Sequence, residues 1–164
     1  MPERRALHAK DILGVLTAHR VDFVVIGGIA LILHGSARNT FDVDVCFAGD
    51  DENLAAFGSA LTELGASLRG VAESAPFTPD ARTLRQIEVL TLETPKGELD
   101  VLARPAGAPA YRVLREEAER VDLGGFAVRV ASLDHLLAMK RAAGRAKDLA
   151  DVAELETIKR LRRR

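Results

Sequence analysis

The chain has 164 residues, enough for one domain with a sizeable core and too few for two large ones. Its 48% apolar content excludes a disordered chain, and its formal net charge of −1 excludes global attraction to nucleic acid, so any polyanion site has to be a local patch. No apolar run reaches membrane-spanning length, Met1 to Lys10 has no signal-peptide core, and the single cysteine, Cys46, cannot form an internal disulfide, all of which suit a cytoplasmic protein with no membrane partner.

From Arg4 to Thr17, Leu7, Ile12, Leu13 and Leu16 recur at a roughly helical spacing, and His19-Arg20 ends that helix. Val21 to Ile26 is β-branched and apolar, a buried strand. Gly27-Gly28 turns the chain, a short helix runs through Ile29 to Leu33, and Gly35 closes it. Asn39 to Phe47 is a second strand. Asp50 or Asp51 caps a helix over Glu52 to Leu64, with Leu54, Phe57, Leu61 and Leu64 on one face and Gly65 at its end. Residues 66 to 80 read as a loop marked by Pro76 and Pro79. Ile87 to Leu92 and Glu98 to Leu102 form strands around the turn Pro95-Lys96-Gly97, and 104 to 110 is a Pro/Gly linker. A short helix at Tyr111 to Ala118 leads into a hairpin whose turn is Gly124-Gly125. Ser132 caps a helix that Gly144 interrupts, and a last helix spans Lys147 to Leu161, with Arg162 to Arg164 as a frayed end. Strands interspersed with helices and a helical last third predict an α/β or α+β fold, a mixed sheet flanked by helices, as one domain over 1–164 with a core at 1–104 and a hairpin-plus-helices part at 111–164.

The chemistry concentrates between Val24 and Phe47. Side chains alternate along a strand, so Asp42 and Asp44 share one side while Val43 and Val45 face the core. Two carboxylates at that separation repel unless a cation lies between them, and hard oxygen ligands suit Mg²⁺, with Mn²⁺ as the alternative. Gly27-Gly28, at a strand-to-helix turn, leaves backbone N–H groups open to a phosphate. Arg38 is either a phosphate ligand or an ion-pair partner of Asp42. Ser36 and Thr40 are the hydroxyls near the turn. His34, beside Gly35, reads as a capping or packing residue, and Cys46 as a small buried one.

Ile26-Gly27-Gly28 followed by Asp42-Val43-Asp44-Val45 resembles the pattern of the DNA polymerase beta-type nucleotidyltransferase superfamily. The run from Val128 to Lys140, then Gly144-Arg145-Ala146-Lys147-Asp148-Leu149-Ala150-Asp151, is similar to its AbiEii-type branch, which includes toxins of toxin–antitoxin systems. Residues 66–85 match least.

The resemblance implies a nucleotidyltransferase that moves an NMP from an NTP to an acceptor hydroxyl, with a two-metal site held by Asp42, Asp44 and a third carboxylate, Asp100, in its Leu99-Asp100-Val101 setting. Asp100 would also deprotonate the acceptor; otherwise it is an exposed strand residue. Gly27, Gly28, Arg38, Thr40, Lys140 and Asp148 would serve the nucleotide. Lys140 is otherwise a solvated helix lysine, and Asp148 a helix partner of Arg145 or Lys147. The implied acceptor is RNA, such as a tRNA end, and the implied partner a cognate antitoxin. A small antibiotic and a protein side chain are the enzyme alternatives, and a non-catalytic nucleotide-binding or antitoxin-like protein is the alternative of another class.

Overall fold

The computed structural model describes residues 6–71 and 77–163. The sequence readings at Arg4, Pro76 and Arg164 lie outside the described residues. A seven-stranded mixed sheet, flanked by helices, forms the frame. In chain order the elements are α1 (Ala9–Ala18), β1 (Phe23–Ile26), α2 (Gly27–Leu33), β2 (Asp42–Phe47), α3 (Asp51–Glu63), β3 (Ser67–Leu68), α4 (Ala81–Arg85), β4 (Val89–Thr94), β5 (Gly97–Leu102), α5 (Tyr111–Glu116), β6 (Glu119–Asp122), β7 (Ala127–Val130), α6 (Leu133–Ala143) and α7 (Ala146–Arg162).

The sheet order is β3-β4-β5-β2-β1-β7-β6. The strand β1 sits near its middle, antiparallel to β2 and parallel to β7. All four β1 residues are buried, as expected of an apolar strand covered on both faces. The alternation of β2 is visible in its burial: Val43 and Val45 are fully buried, while Asp42 and Asp44 are only partly so. Ile12, Leu13 and Leu16 of α1 and Leu54, Phe57 and Leu61 of α3 join one continuous core, in which the Phe47 and Phe57 rings stack at 5.3 Å between centroids.

Local chemistry sets the connections. The Asp50 side chain accepts from the Asn53 backbone N–H at 2.9 Å and starts α3. Gly124 and Gly125 both take positive φ, 85° and 92°, which a two-residue hairpin with this twist requires. The β4–β5 loop is Pro95-Lys96, with Thr94 paired to Gly97; the Thr94 hydroxyl donates to the Gly97 carbonyl at 2.9 Å and accepts from the Lys96 N–H. That closure shifts β4 two residues beyond the predicted Ile87 to Leu92. The predicted loop over 66–80 holds β3, which pairs with β4 at the sheet edge, and Asp80 at its end caps the unanticipated α4 through the Thr83 N–H at 2.8 Å. Arg162 is not frayed: it is the last residue of α7 and pairs with Glu119 at 3.0 Å.

Among the described residues, no helix is long and apolar enough to cross a membrane.

Candidate active site

The strand β2 runs parallel to β5, and the register sets Asp44 directly beside Asp100 and, on its other side, beside Ile26. Side chains at matched positions of adjacent strands share a face. The third carboxylate therefore reaches the first two through strand register, although 55 residues lie between Asp44 and Asp100 in the sequence. Asp42, Asp44 and Asp100 each offer an oxygen such that all lie within 4.8 Å of one another.

Such a cluster holds its protons tightly. The Asp44 carboxyl is pushed up to about 7, first by burial, then by repulsion from Asp42 and Asp100, with Lys140 opposing. Burial also raises Asp100, against the Arg69 guanidinium, which lowers it. Crowded carboxylates that retain a proton at neutral pH are a donor set suited to a hard divalent cation, which would replace the proton.

The glycines are needed for this closeness. A Cβ on Gly27 would lie 2.2 Å from Asp44 Oδ2, and Gly27 has φ +67°. A Cβ on Gly28 would lie 2.7 Å from the Thr40 hydroxyl. Side chains at either position would push the carboxylate strand away from the start of α2. Ile26, which precedes α2, provides no side-chain cap, so the first amides of α2 have no side-chain acceptor from it.

A cleft of about 320 Å³ opens above the carboxylates. Gly27, Gly28, Arg38, Thr40, Asp42, Asp44, Asp100, Lys140 and Asp148 all border it, brought together from α2, the α2–β2 connection, β2, β5, α6 and α7. Its remaining rim is partly apolar: Leu102, Pro105, Leu136 and Met139.

The cationic wall is an ionic lattice. Lys140 Nζ lies 3.0 Å from Asp151 and 3.4 Å from Asp148. Arg38 pairs with Asp151 at 2.6 Å, so its carboxylate partner is on α7, not Asp42 as one reading of the sequence had it. Proximity along the chain suggested Asp42, but α7 packs across the cleft and offers the nearer acid. Asp148, fully buried, accepts from the Arg145 backbone N–H at 3.1 Å and from Arg145 Nε at 2.7 Å, and these bonds hold its carboxyl down at about 2. Both Asp148 oxygens are thereby engaged with Lys140 or Arg145.

Other side chains near the site are held by hydrogen bonds within the protein. The Thr40 hydroxyl donates to the Asp42 carbonyl at 3.3 Å, and the Ser36 hydroxyl accepts from the Arg38 N–H. His34 is buried and donates from Nε2 to the Ala131 carbonyl at 2.8 Å. Burial pushes the Cys46 thiol up to about 12, which leaves it unreactive.

Two residues of the site were not singled out by sequence. Asp151 stands one helical turn beyond Asp148, and that i,i+3 spacing was the available signal. Arg69 donates to Asp100 Oδ1 at 2.7 Å from the edge of the sheet, and nothing in the sequence around it marks it.

The mixed sheet and its flanking helices define a nucleotidyltransferase fold. It matches the lincosamide antibiotic adenylyltransferase LnuA in its lincomycin-bound crystal structure, with a TM-score of 0.62 at 16% identity over 93% of this chain and 99% of that one. The antibiotic-resistance factor ANT(2'')-Ia matches too, in solution (TM-score 0.54, 15% identity, 93% of this chain and 87% of that one) and in complex with adenylyl-2''-tobramycin (0.54, 17%, 92% and 90%). A comparison with curated protein sequences finds no match. The family model for the nucleotidyl transferase AbiEii toxin of type IV toxin–antitoxin systems matches residues 12–163. The chain belongs to that family, and it is a nucleotidyltransferase.

Proposed function

We propose that this protein transfers an NMP from an NTP to an acceptor hydroxyl on RNA, with a tRNA end as the preferred acceptor, in a divalent-metal-dependent reaction. The observation that carries this reading is the convergence of Asp42, Asp44 and Asp100, with oxygens within 4.8 Å of one another, beneath the Gly27-Gly28 turn. Asp42 and Asp44 would hold the metal that accompanies the triphosphate, and Asp100 the one on the acceptor side. Mg²⁺ at these carboxylates, with Mn²⁺ as a substitute, would supply charge neutralisation for the phosphates and for the attacking oxygen.

The backbone amides at Gly27 and Gly28 bind the triphosphate, and Lys140 and Arg38 neutralise it from the facing wall. Asp148 and Asp151 act on the nucleotide indirectly, by holding Lys140 and Arg38 in place. Thr40 supports the Asp42 end of β2. Asp100 accepts the acceptor's proton while the acceptor oxygen bonds to the α-phosphorus; the bond to pyrophosphate breaks and pyrophosphate leaves. Residues 1–164 work as one nucleotidyltransferase domain, with the 1–104 core supplying the carboxylates and 111–164 the cationic wall. The reading places it in the cytoplasm, opposed there by a cognate antitoxin as the family's description implies.

RNA is read here over a small acceptor because of the toxin resemblance, and it would be held by phosphate and shape, since aromatic residues make up only 4% of the chain and give few stacking platforms. The test incubates the protein with labelled NTPs and Mg²⁺ against total tRNA, and separately against tobramycin and lincomycin. Labelled tRNA whose yield collapses from low to moderate salt is the expected result. Label confined to an antibiotic or to the protein itself refutes the RNA acceptor, and nucleotide binding without turnover refutes the enzyme.

A further inference from the structure

Arg69 is the one cation among the described residues that makes an ion pair or hydrogen bond to a carboxylate of the triad. It follows β3, the two-residue edge strand, and its own N–H donates to the Thr91 carbonyl of β4 at 3.0 Å. Its Nη2 donates to Asp100 Oδ1 at 2.7 Å and to the Leu92 carbonyl at 2.8 Å. Nε is buried without a hydrogen-bond partner and lies 3.8 Å from Glu98 Oε2. The guanidinium is thus fixed on two sides by β4 and β5, with its charge against the carboxylate that faces the acceptor.

Resting on the reading of Asp100 as a metal-binding carboxylate, we propose that Arg69 is a positioning residue that competes with the divalent cation for Asp100. With no nucleotide bound, the guanidinium offsets the charge of the third carboxylate and holds it in register beside Asp44. A cation arriving at Asp100 meets a positive charge already in contact with its ligand. The acceptor-side position is therefore weakened in the free enzyme and fills readily only once the triphosphate adds negative charge to the cleft. Two features separate this role from simple packing. The pairing is to a residue of the triad rather than to a bystander, and the arginine's second bond, to the Leu92 carbonyl, keeps it from swinging out to solvent.

Opposite outcomes follow from a competing cation and an ordinary ion pair. Removing a competitor strengthens metal binding, because a positive charge close to a divalent ion repels it even in a largely aqueous setting. Removing a support that merely orients Asp100 weakens it. The probe is Mn²⁺ alone, titrated into the nucleotide-free protein and followed by the electron paramagnetic resonance signal of the free ion. Arg69→Met keeps the aliphatic stem and should bind Mn²⁺ roughly fivefold to tenfold tighter than wild type. Arg69→Lys restores the charge and should fall within about twofold of wild type. Unchanged or weaker binding by Arg69→Met, or equal tightening in both variants, overturns the proposal. Asp100→Asn separates the two levels of the argument. If it leaves Mn²⁺ binding unchanged when a non-hydrolysable NTP analogue is present, the condition under which the acceptor-side position fills, the assignment of Asp100 to the metal fails. If it weakens binding while Arg69→Met does not tighten it, only the inference about Arg69 fails.

Discussion

Replacing Asp44 with Asn should make the metal-free protein more stable at neutral pH while destroying its activity. Asp44 keeps its proton up to about 7 in the folded state, against 3.8 for the unhindered group, because it is buried and faces Asp42 and Asp100. Its folded-state pKa is raised, so between those two values the folded state binds a proton that the unfolded chain has released. The stabilisation linked to that proton is fully present below about 3.8 and is lost as pH rises through about 7. A rise of about three units corresponds to a ceiling of about 4 kcal/mol. Part of that is recovered when Asp42 and Asp100 relax, and part is offset by burying an amide, leaving about 2 kcal/mol in favour of Asn above pH 7. For a chain of this size that is about 4–8 °C in Tm.

Thermal unfolding followed by circular dichroism, in chelator, across roughly pH 4 to 8, measures it. The variant and the wild type should melt together at the acid end and diverge as pH rises, with Asn the more stable. Added Mg²⁺ should then raise the wild type's Tm and leave the variant's nearly unchanged, since stabilisation by a ligand requires a site that binds it. If Asp44→Asn is no more stable than wild type at about pH 8 without metal, the carboxylates are not crowded as the structure has them. A variant that retained Mg²⁺-dependent turnover would remove Asp44 from the metal site altogether.

Gly27→Ala should lose transfer and cost roughly 1–2 kcal/mol from the left-handed backbone alone, with more from the 2.2 Å approach of the new methyl to Asp44, read by activity and Tm together. Lys140→Ala should weaken NTP binding, more for the triphosphate than for the monophosphate, measured by calorimetry. Asp100→Asn should keep NTP binding and lose transfer; equal binding losses in these two variants would contradict the division of roles. Asp151→Asn should destabilise the fold by about 1–3 kcal/mol and raise KM for NTP, because Arg38 and Lys140 both lose a charged partner in a half-buried lattice.

What the sequence revealed of this molecule followed from periodicity and from turn chemistry. The alternation in Asp42-Val43-Asp44-Val45 was enough to separate site face from core face, and Gly124-Gly125 was enough to locate a hairpin. A two-residue strand and a five-residue helix are too short to carry a period, so β3 was hidden within a stretch read as loop and α4, just beyond it, carried no sequence signal. Arg69 was lost for the same reason: its importance comes from where the sheet edge folds, and its sequence neighbourhood is silent. Arg38 illustrates another limit. Sequence proximity favoured Asp42 as its acid, yet the partner lies more than a hundred residues on, where only the packing of α7 could place it. Asp148 was visible through the R-x-K-D-x-x-D resemblance, but its engagement on both oxygens depends on the capping geometry at the start of α7.

That lattice explains why the cationic wall is built from arginine, lysine and aspartate together rather than from cations alone. Free Lys and Arg side chains each lose up to about 2 kcal/mol of rotamer entropy on being fixed. Here Asp148 and Asp151 fix Lys140 and Arg38 before any nucleotide arrives, so the ordering cost falls on folding instead of on binding. The same carboxylates moderate the positive charge opposite Asp42, Asp44 and Asp100, which keeps the wall from collapsing onto the triad while the cleft is empty. A triphosphate would then need only to share Lys140 and Arg38 with acids already beside them. On this account the two aspartates of α7 belong to the site as much as the cations do, and their loss should be felt in affinity before it is felt in the chemical step.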